Sequence, residues 1–201
     1  MFDKKTALRE LKKYRKNGPS KTTRMLLEAI ENKGIKGCEF LDIGGGIGAI
    51  QYHLFDHGAN NGISIDASKA YLEVAQEEAE NRGLNAKIEF RHGDFTTVAS
   101  DSDTADIVTL DRVICCYDDM SALVGLSSKA AKKIYGVVYL RDVWWVKLAR
   151  PILNLYPRLK GSPFRVFVHP TKKVENIILR NGLKRYFYAT TLIWQVAVFE
   201  Q

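Results

Sequence analysis

Leu41-Asp42-Ile43-Gly44-Gly45-Gly46-Ile47-Gly48 decides how the rest of the chain is read. It closes a short apolar run that begins at Cys38. It opens onto Ala49-Ile50-Gln51-Tyr52-His53-Leu54-Phe55-Asp56-His57, whose spacing predicts a helix ended by Gly58. Glycines at a strand-to-helix turn accept positive φ and carry no Cβ, so a ligand can approach the backbone closely. By itself the motif has two readings. Gly44, Gly46 and Ala49 also satisfy the dinucleotide pattern G-x-G-x-x-A, and turn glycines often mark only a tight turn.

Outward from this turn, apolar runs alternate with helical patterns. Strands are expected at Gly62–Asp66, Ala86–Phe90, Asp106–Leu110 and Ile134–Leu140, with a helix capped by Ser68 and another from Thr171 to Asn181. Such alternation implies βαβ units and a parallel sheet, an α/β Rossmann-like fold with helices on both faces. Lys184 to Glu200 is rich in aromatic and β-branched residues and leaves no room for a crossover helix, so it should fold back as an antiparallel hairpin. Upstream, Lys4 to Lys16 reads as a helix with Leu8 and Leu11 on one face, stopped by Asn17-Gly18-Pro19. Ser20 or Thr22 then caps a second helix through Glu31 that buries Met25, Leu26, Leu27 and Ile30. Residues 1–35 are therefore expected to form a helical arm or lid on a domain spanning 36–201.

Three acids separate the two readings of the glycine turn. Asp42 ends the first strand two residues before Gly44, where pyridine-nucleotide sites usually carry an apolar residue; a carboxylate there suits a ligand with an ammonium group. Asp66 ends the second strand, 22 residues after Gly44, and can accept from both hydroxyls of a ribose. Asp94 follows the third strand in His92-Gly93-Asp94-Phe95, placed to accept from an adenine amine with Phe95 beside the ring. One strand-end Asp is usually a turn residue; three on successive strands point to a nucleoside carrying an amino acid.

From Phe40 to Tyr117 the chain resembles the class I S-adenosylmethionine-dependent methyltransferases. The glycine stretch matches their D-x-G-x-G-x-G motif, Ser64-Ile65-Asp66-Ala67-Ser68 their acidic ribose loop, and His92-Gly93-Asp94-Phe95 their adenine loop. Ala105 to Asp119 is similar to the fourth-strand segment of the small-molecule subgroup, in which two histidines often stand where this chain has Cys115 and Cys116. The resemblance implies S-adenosylmethionine as cofactor, a seven-stranded sheet whose last strand is inserted antiparallel, and methyl transfer. It implies a cofactor set of Asp42, Gly44, Gly45, Gly46, Asp66, Ala67, Asp94, Phe95 and Asp111. It also puts the end of the fourth strand beside the transferred methyl, making Arg112 and Tyr117 acceptor-side candidates.

The acceptor is expected to lie under Val143 to Pro170. Trp144, Trp145, Leu148, Ile152, Leu155 and Tyr156 make an apolar stripe broken by Pro151 and Pro157, interleaved with Lys147, Arg150, Arg158, Lys160 and Arg165. Such a segment packs on the sheet, roofs a hydrophobic pocket with a cationic rim, or lies on a membrane surface. Its arrangement is similar to the substrate region of magnesium-protoporphyrin methyltransferases. Arg141, Trp144, Arg150 and His169 join the acceptor set, with His169 or Tyr117 as the candidate base. Cys115 and Cys116 read as packing residues. His53 and His57 sit four apart on a helix, but no third ligand stands near them in the sequence, and no metal is expected.

Composition narrows the rest. At 201 residues and 46% hydrophobic, one domain with a full core is expected, and a dehydrogenase's second domain would not fit. Three cysteines, two adjacent, make no disulfide framework, and Met1 to Lys16 has no leader pattern, so a cytoplasmic protein is expected. The net charge of +7 is unevenly spread. Lys and Arg outnumber acids nine to two over residues 1–24 and fourteen to two over 129–185, while acids lead eighteen to seven over 25–128. Basic flanks suit an anionic acceptor, a membrane or RNA. The first reading, a small hydrophobic and anionic acceptor, is preferred: no N/D-P-P-Y motif follows the fourth strand and no RNA-binding module is appended. RNA methylation and a non-catalytic cofactor-binding protein are the alternatives; oligomeric state is left open.

Overall fold

Alternation along the strands sets the layers of the molecule. In β1 (Phe40–Ile43), Phe40 points to one face of the sheet and Leu41 and Ile43 to the other. The same division recurs at Ile107 and Val108 of β4 (Ala105–Asp111), Ile134 and Tyr135 of β5 (Ala131–Leu140), and Val196 and Ala197 of β7 (Trp194–Glu200). One face is covered by α2 (Lys21–Glu31) and α3 (Ala49–Asp56), through Leu26, Leu27, Ile30, Ile50 and Leu54. The other is covered by α6 (Met120–Lys129) and α8 (Thr171–Arg180), through Leu123, Val124, Val174 and Ile178. The computed structural model describes residues 3–100, 103–159 and 164–201.

With β2 (Gly62–Asp66), β3 (Ile88–His92) and β6 (Lys184–Thr190), the sheet has seven strands in the order β3-β2-β1-β4-β5-β7-β6. The first five are parallel, and β7 is inserted antiparallel between β5 and β6. The order reverses between β1 and β4, so the ligand crevice of such a sheet lies above their carboxyl ends.

Two further helices shape that crevice. α4 (Lys69–Asn81) is capped by Ser68, and α1 (Lys4–Asn17) lies across it. Ala7 and Leu11 of α1 pack with Ile47, Tyr71 and Val74, and Arg15 pairs with the buried carboxylate of Glu78. The buried face of α1 is thus Ala7 and Leu11; Leu8, expected beside Leu11, is 45% exposed. α2 is capped by Ser20, as expected, and buries Leu26, Leu27 and Ile30, whereas Met25 is only partly buried. The third strand starts at Ile88 rather than Ala86 because its register against β2 begins there, with Ile88 opposite Gly62. Pro151 does not break the apolar stripe: a single helix, α7, runs from Trp144 to Leu159. The proline and Lys147 one turn before it are both exposed, so the carbonyl freed by the missing N–H is not trapped in a core.

Candidate active site

The glycine turn is built around a buried carboxylate. Gly44 adopts φ +65°, and a Cβ on Gly45 would stand 2.4 Å from Gln51 Nε2. Gln51 needs that space: its Nε2 donates to Asp42 at 3.1 Å and to Ser64 Oγ at 2.7 Å. Thr109 Oγ1 donates to the other oxygen of Asp42 at 2.7 Å. Both oxygens of Asp42 therefore have partners within the protein, and the residue braces the turn across β1, β2 and β4. Burial pushes its carboxyl up to about 7; the bonds from Thr109 and Gln51 pull the other way, and Asp111 and Asp66 add repulsion.

Asp66 holds the turn from the second strand. It accepts from Gly46 N–H at 3.0 Å and Ser68 N–H at 2.7 Å, and burial raises its carboxyl despite both bonds. Asp94 caps the short helix α5 (Phe95–Val98), an element not foreseen in the sequence. Its Oδ1 accepts from Thr96 N–H and Oγ1, both at 2.9 Å, and from the Tyr117 hydroxyl. Burial opposes ionisation of Asp94, but these bonds outweigh it and hold the carboxyl below the usual range. Among the described residues its second oxygen has no partner. Phe95 turns its ring into the main core at 4% exposure, so only its backbone faces the loop.

Asp111, at the end of β4, accepts from Thr23 Oγ1 at 2.5 Å. Its Oδ1 is buried without a hydrogen-bond partner, and burial raises its carboxyl although the Arg112 guanidinium lies 3.6 Å away. Arg112 adopts φ +64°, rare for a residue with a Cβ. Its side chain donates to Ser20 and Thr22 at the start of α2 and lies over the Trp194 ring. Thr23 on Asp111, Thr22 on Arg112, and Gln51, Ser64 and Thr109 around Asp42 are contacts of the site that sequence reasoning did not foresee. The run Ser20-Lys21-Thr22-Thr23 offered hydroxyls, but nothing local says that the spare ones reach across to β4.

Asp42, the glycine turn, Thr23, Asp111 and Arg112 wall a cavity of about 610 Å³ above β1 and β4, whose lining does not include Asp66 or Asp94. Gly44, Gly45, Gly46 and Asp42 form one side and Asp111 the other, with Lys13 and Tyr14 of α1 and Lys21 and Arg24 of α2 at its rim. A smaller cavity of about 390 Å³, lined by Glu39, Asn61, Gly62 and Lys87, opens at the amino ends of β1 to β3, the end of such sheets that does not take ligands. The large cavity offers what an aminoacyl nucleoside needs: a glycine backbone that a ligand can approach closely, a buried carboxylate oxygen that accepts no hydrogen bond, and cations at the mouth.

Residues 35–152 match the methyltransferase domain family. The chain belongs to that family. Its cofactor is S-adenosylmethionine. A release factor glutamine methyltransferase from Caulobacter vibrioides is 44% identical over 69 residues, 34% of this chain and 24% of that protein. A ribosomal protein L11 methyltransferase from Deinococcus radiodurans is 30% identical over 76 residues, 38% of this chain and 28% of that one. The matches thus span about a quarter of the length of the curated relatives. Magnesium protoporphyrin IX methyltransferase from Synechocystis, solved with S-adenosylhomocysteine, has the same fold: TM-score 0.72 at 17% identity, over 90% of this chain and 82% of that one.

Beyond the carboxyl end of β4, Tyr117 and His169 meet. His169 Nε2–H donates to the Tyr117 carbonyl at 2.8 Å, its ring stacks on Phe167, and burial lowers its basicity. The Tyr117 hydroxyl lies 2.6 Å from Thr96 Oγ1 and donates to Asp94, joining the segment after β4 to the loop after β3. Cys115 is buried with its thiol donating to the Arg112 carbonyl at 3.2 Å, a packing position. Arg141 is turned toward the β6–β7 turn, donating to the Thr191 carbonyl at 2.9 Å.

Trp144 and Arg150 are not brought to this group. Both are exposed, Trp144 at 71%, which overturns a core role for that ring. Trp144→Ala should therefore cost less than about 0.5 kcal/mol of stability, against the roughly 3–5 kcal/mol of a core aromatic. A melting comparison checks this, and a core-sized loss would place the ring inside. The Tyr156 side chain and Lys160 lie outside the described residues. His53 and His57 do have a third potential ligand: Glu31, from the far end of α2, brings the three ligand atoms within 4.8 Å. Glu31 pairs with His53 across 22 residues of sequence, a separation that hid it.

Proposed function

We propose that the chain transfers a methyl group from S-adenosylmethionine to a small, hydrophobic acceptor bearing an anionic group. The observation that carries this is the cavity above β1 and β4, with its glycine turn on one side and, on the other, the Asp111 oxygen that accepts no hydrogen bond. In this reading the backbone of Gly44, Gly45 and Gly46 and the carboxylate of Asp111 take the amino-acid end, with Lys13 or Arg24 near its carboxylate. Asp66 takes the ribose hydroxyls. The free oxygen of Asp94 and the backbone of Ala67 and Phe95 take the adenine. Asp42 shapes the turn from beneath.

The bound cofactor supplies an electrophilic methyl group. The protein's part is to hold the acceptor in line and to exclude water. Val143, Val146, Val166 and Val168 pack on Cys115, Cys116 and Leu140, so these four side chains cover the ends of β4 and β5. Tyr117 and Arg112 face the acceptor there. His169, its basicity lowered by burial, donates to the Tyr117 carbonyl and holds that residue in place. A carboxylate acceptor needs no base.

Calorimetry tests the cofactor half of the proposal. S-adenosylmethionine and S-adenosylhomocysteine should bind more tightly than NAD. Tight NAD binding with no response to either sulfur ligand would end the reading.

A further inference from the structure

We propose that α7 docks the protein on an anionic bilayer surface. This goes beyond the methyl-transfer reading and does not rest on it.

α7 is held in one orientation. Val146 is buried against Cys115 and Leu140, while Asn154 donates to the Val166 carbonyl at 2.9 Å and accepts from its N–H at 2.7 Å. The opposite face is bare: Trp144 is 71% exposed, Leu148 68%, Ile152 73%, Leu155 54% and Leu159 78%. Their spacing puts all five within an arc of about 80° at 100° per residue. The β6–β7 turn extends the patch. Trp145 Nε1 donates to the Leu192 carbonyl at 3.3 Å, and Leu192 itself is 74% exposed. Soluble proteins rarely leave so many large apolar side chains contiguous and uncovered.

Charge selects the occupant. No acid occurs between Asp142 and Glu175, while seven Lys and Arg do. Arg150 and Arg158 are exposed on α7 itself, as is Lys147, which pairs with Asp142 at 2.5 Å. An apolar stripe with tryptophan and a cationic rim is the composition of a helix that lies in the plane of a bilayer interface. A second copy of the chain, related by a two-fold axis, would set those cations against their own images. A lid closing on the acceptor would use the inner face, which is already packed. Among the described residues no helix is long and apolar enough to cross a membrane, so α7 would lie on it.

The test is co-sedimentation of the whole chain with vesicles of phosphatidylcholine alone or with about a third phosphatidylglycerol. The expected result is binding to the anionic vesicles, weakened by salt, with tryptophan emission shifted to the blue. The double substitution Leu148→Glu, Ile152→Glu should lower binding by at least about tenfold. It should leave melting and S-adenosylhomocysteine affinity unchanged, which separates docking from folding and from the cofactor reading. No binding of the parent chain to anionic vesicles overturns the proposal. So does equal binding by the double variant, or a parent dimer that the double substitution converts to monomer without any vesicle binding.

Discussion

Asp111→Asn is expected to weaken S-adenosylmethionine binding about 100-fold, which is ~2.7 kcal/mol at 1.36 kcal/mol per decade. The ligand-free protein should melt no earlier than the parent. The two halves have one cause. Asp111 is a buried carboxylate with a single internal hydrogen bond, from Thr23, and a second buried oxygen that accepts no hydrogen bond and has only the Arg112 guanidinium, 3.6 Å away, as its counter-charge. Such a group costs stability when the cavity is empty and strengthens binding when an ammonium fills it. The amide keeps the shape and can still accept from Thr23, but it removes the charge. Arg112 does not lose its anchorage, because its guanidinium also holds Ser20 and Thr22. Titration calorimetry on both proteins reads the affinity and a thermal melt reads the stability. An unchanged dissociation constant would show that the ammonium is held elsewhere. A large drop in melting temperature would show that Asp111 is part of the frame.

Much of this site was legible in the sequence because its parts are local. The glycines, Asp42, Asp66 and Asp94 each stand at a strand end that the apolar pattern marks, and a parallel sheet gathers such ends along one edge. The antiparallel hairpin followed from a short, aromatic-rich tail with no helix to return it, and the insertion of its last strand from the family resemblance. What was not legible depends on partners far apart in the chain. The pattern around Asp42 cannot say that Gln51 and Thr109 occupy both of its oxygens, the second from 67 residues away. Periodicity placed Leu8 beside Leu11, but the groove between α4 and the glycine turn receives Ala7 instead. Phe95 reads as a stacking ring until the core claims it. In α7 the apolar stripe was plain and its direction was not: sequence marks which residues share a face, and only packing tells which face is inward.

Raising the pH from 5 to 8 is expected to cost the ligand-free parent roughly 2–3 kcal/mol more stability than it costs Asp42→Asn. The sign follows from the direction of the shift. Burial lifts the Asp42 carboxyl from 3.8 to about 7 in the folded chain, so the folded state holds a proton that the unfolded chain has released. Stability from this group is complete below the unfolded value near 3.8 and is lost as the pH rises through about 7. Across the whole interval the loss is roughly 4 kcal/mol, and most of it falls between pH 5 and 7. Asp66 and Asp111 are shifted in the same direction by burial, so the parent's slope includes them; the comparison with Asp42→Asn isolates the one residue. The substitution has room for its hydrogen bonds. Gln51 Oε1 is buried without a partner, and a flip of that amide lets it accept from the new amide nitrogen and from Ser64. Urea unfolding of both proteins at several pH values measures the difference. Parallel curves would mean that Asp42 is ionised throughout, with Thr109 and Gln51 sufficient to hold the charge. A curve that falls for the parent and stays flatter for the variant would mean that the glycine turn rests on a carboxyl whose charge the folded protein suppresses.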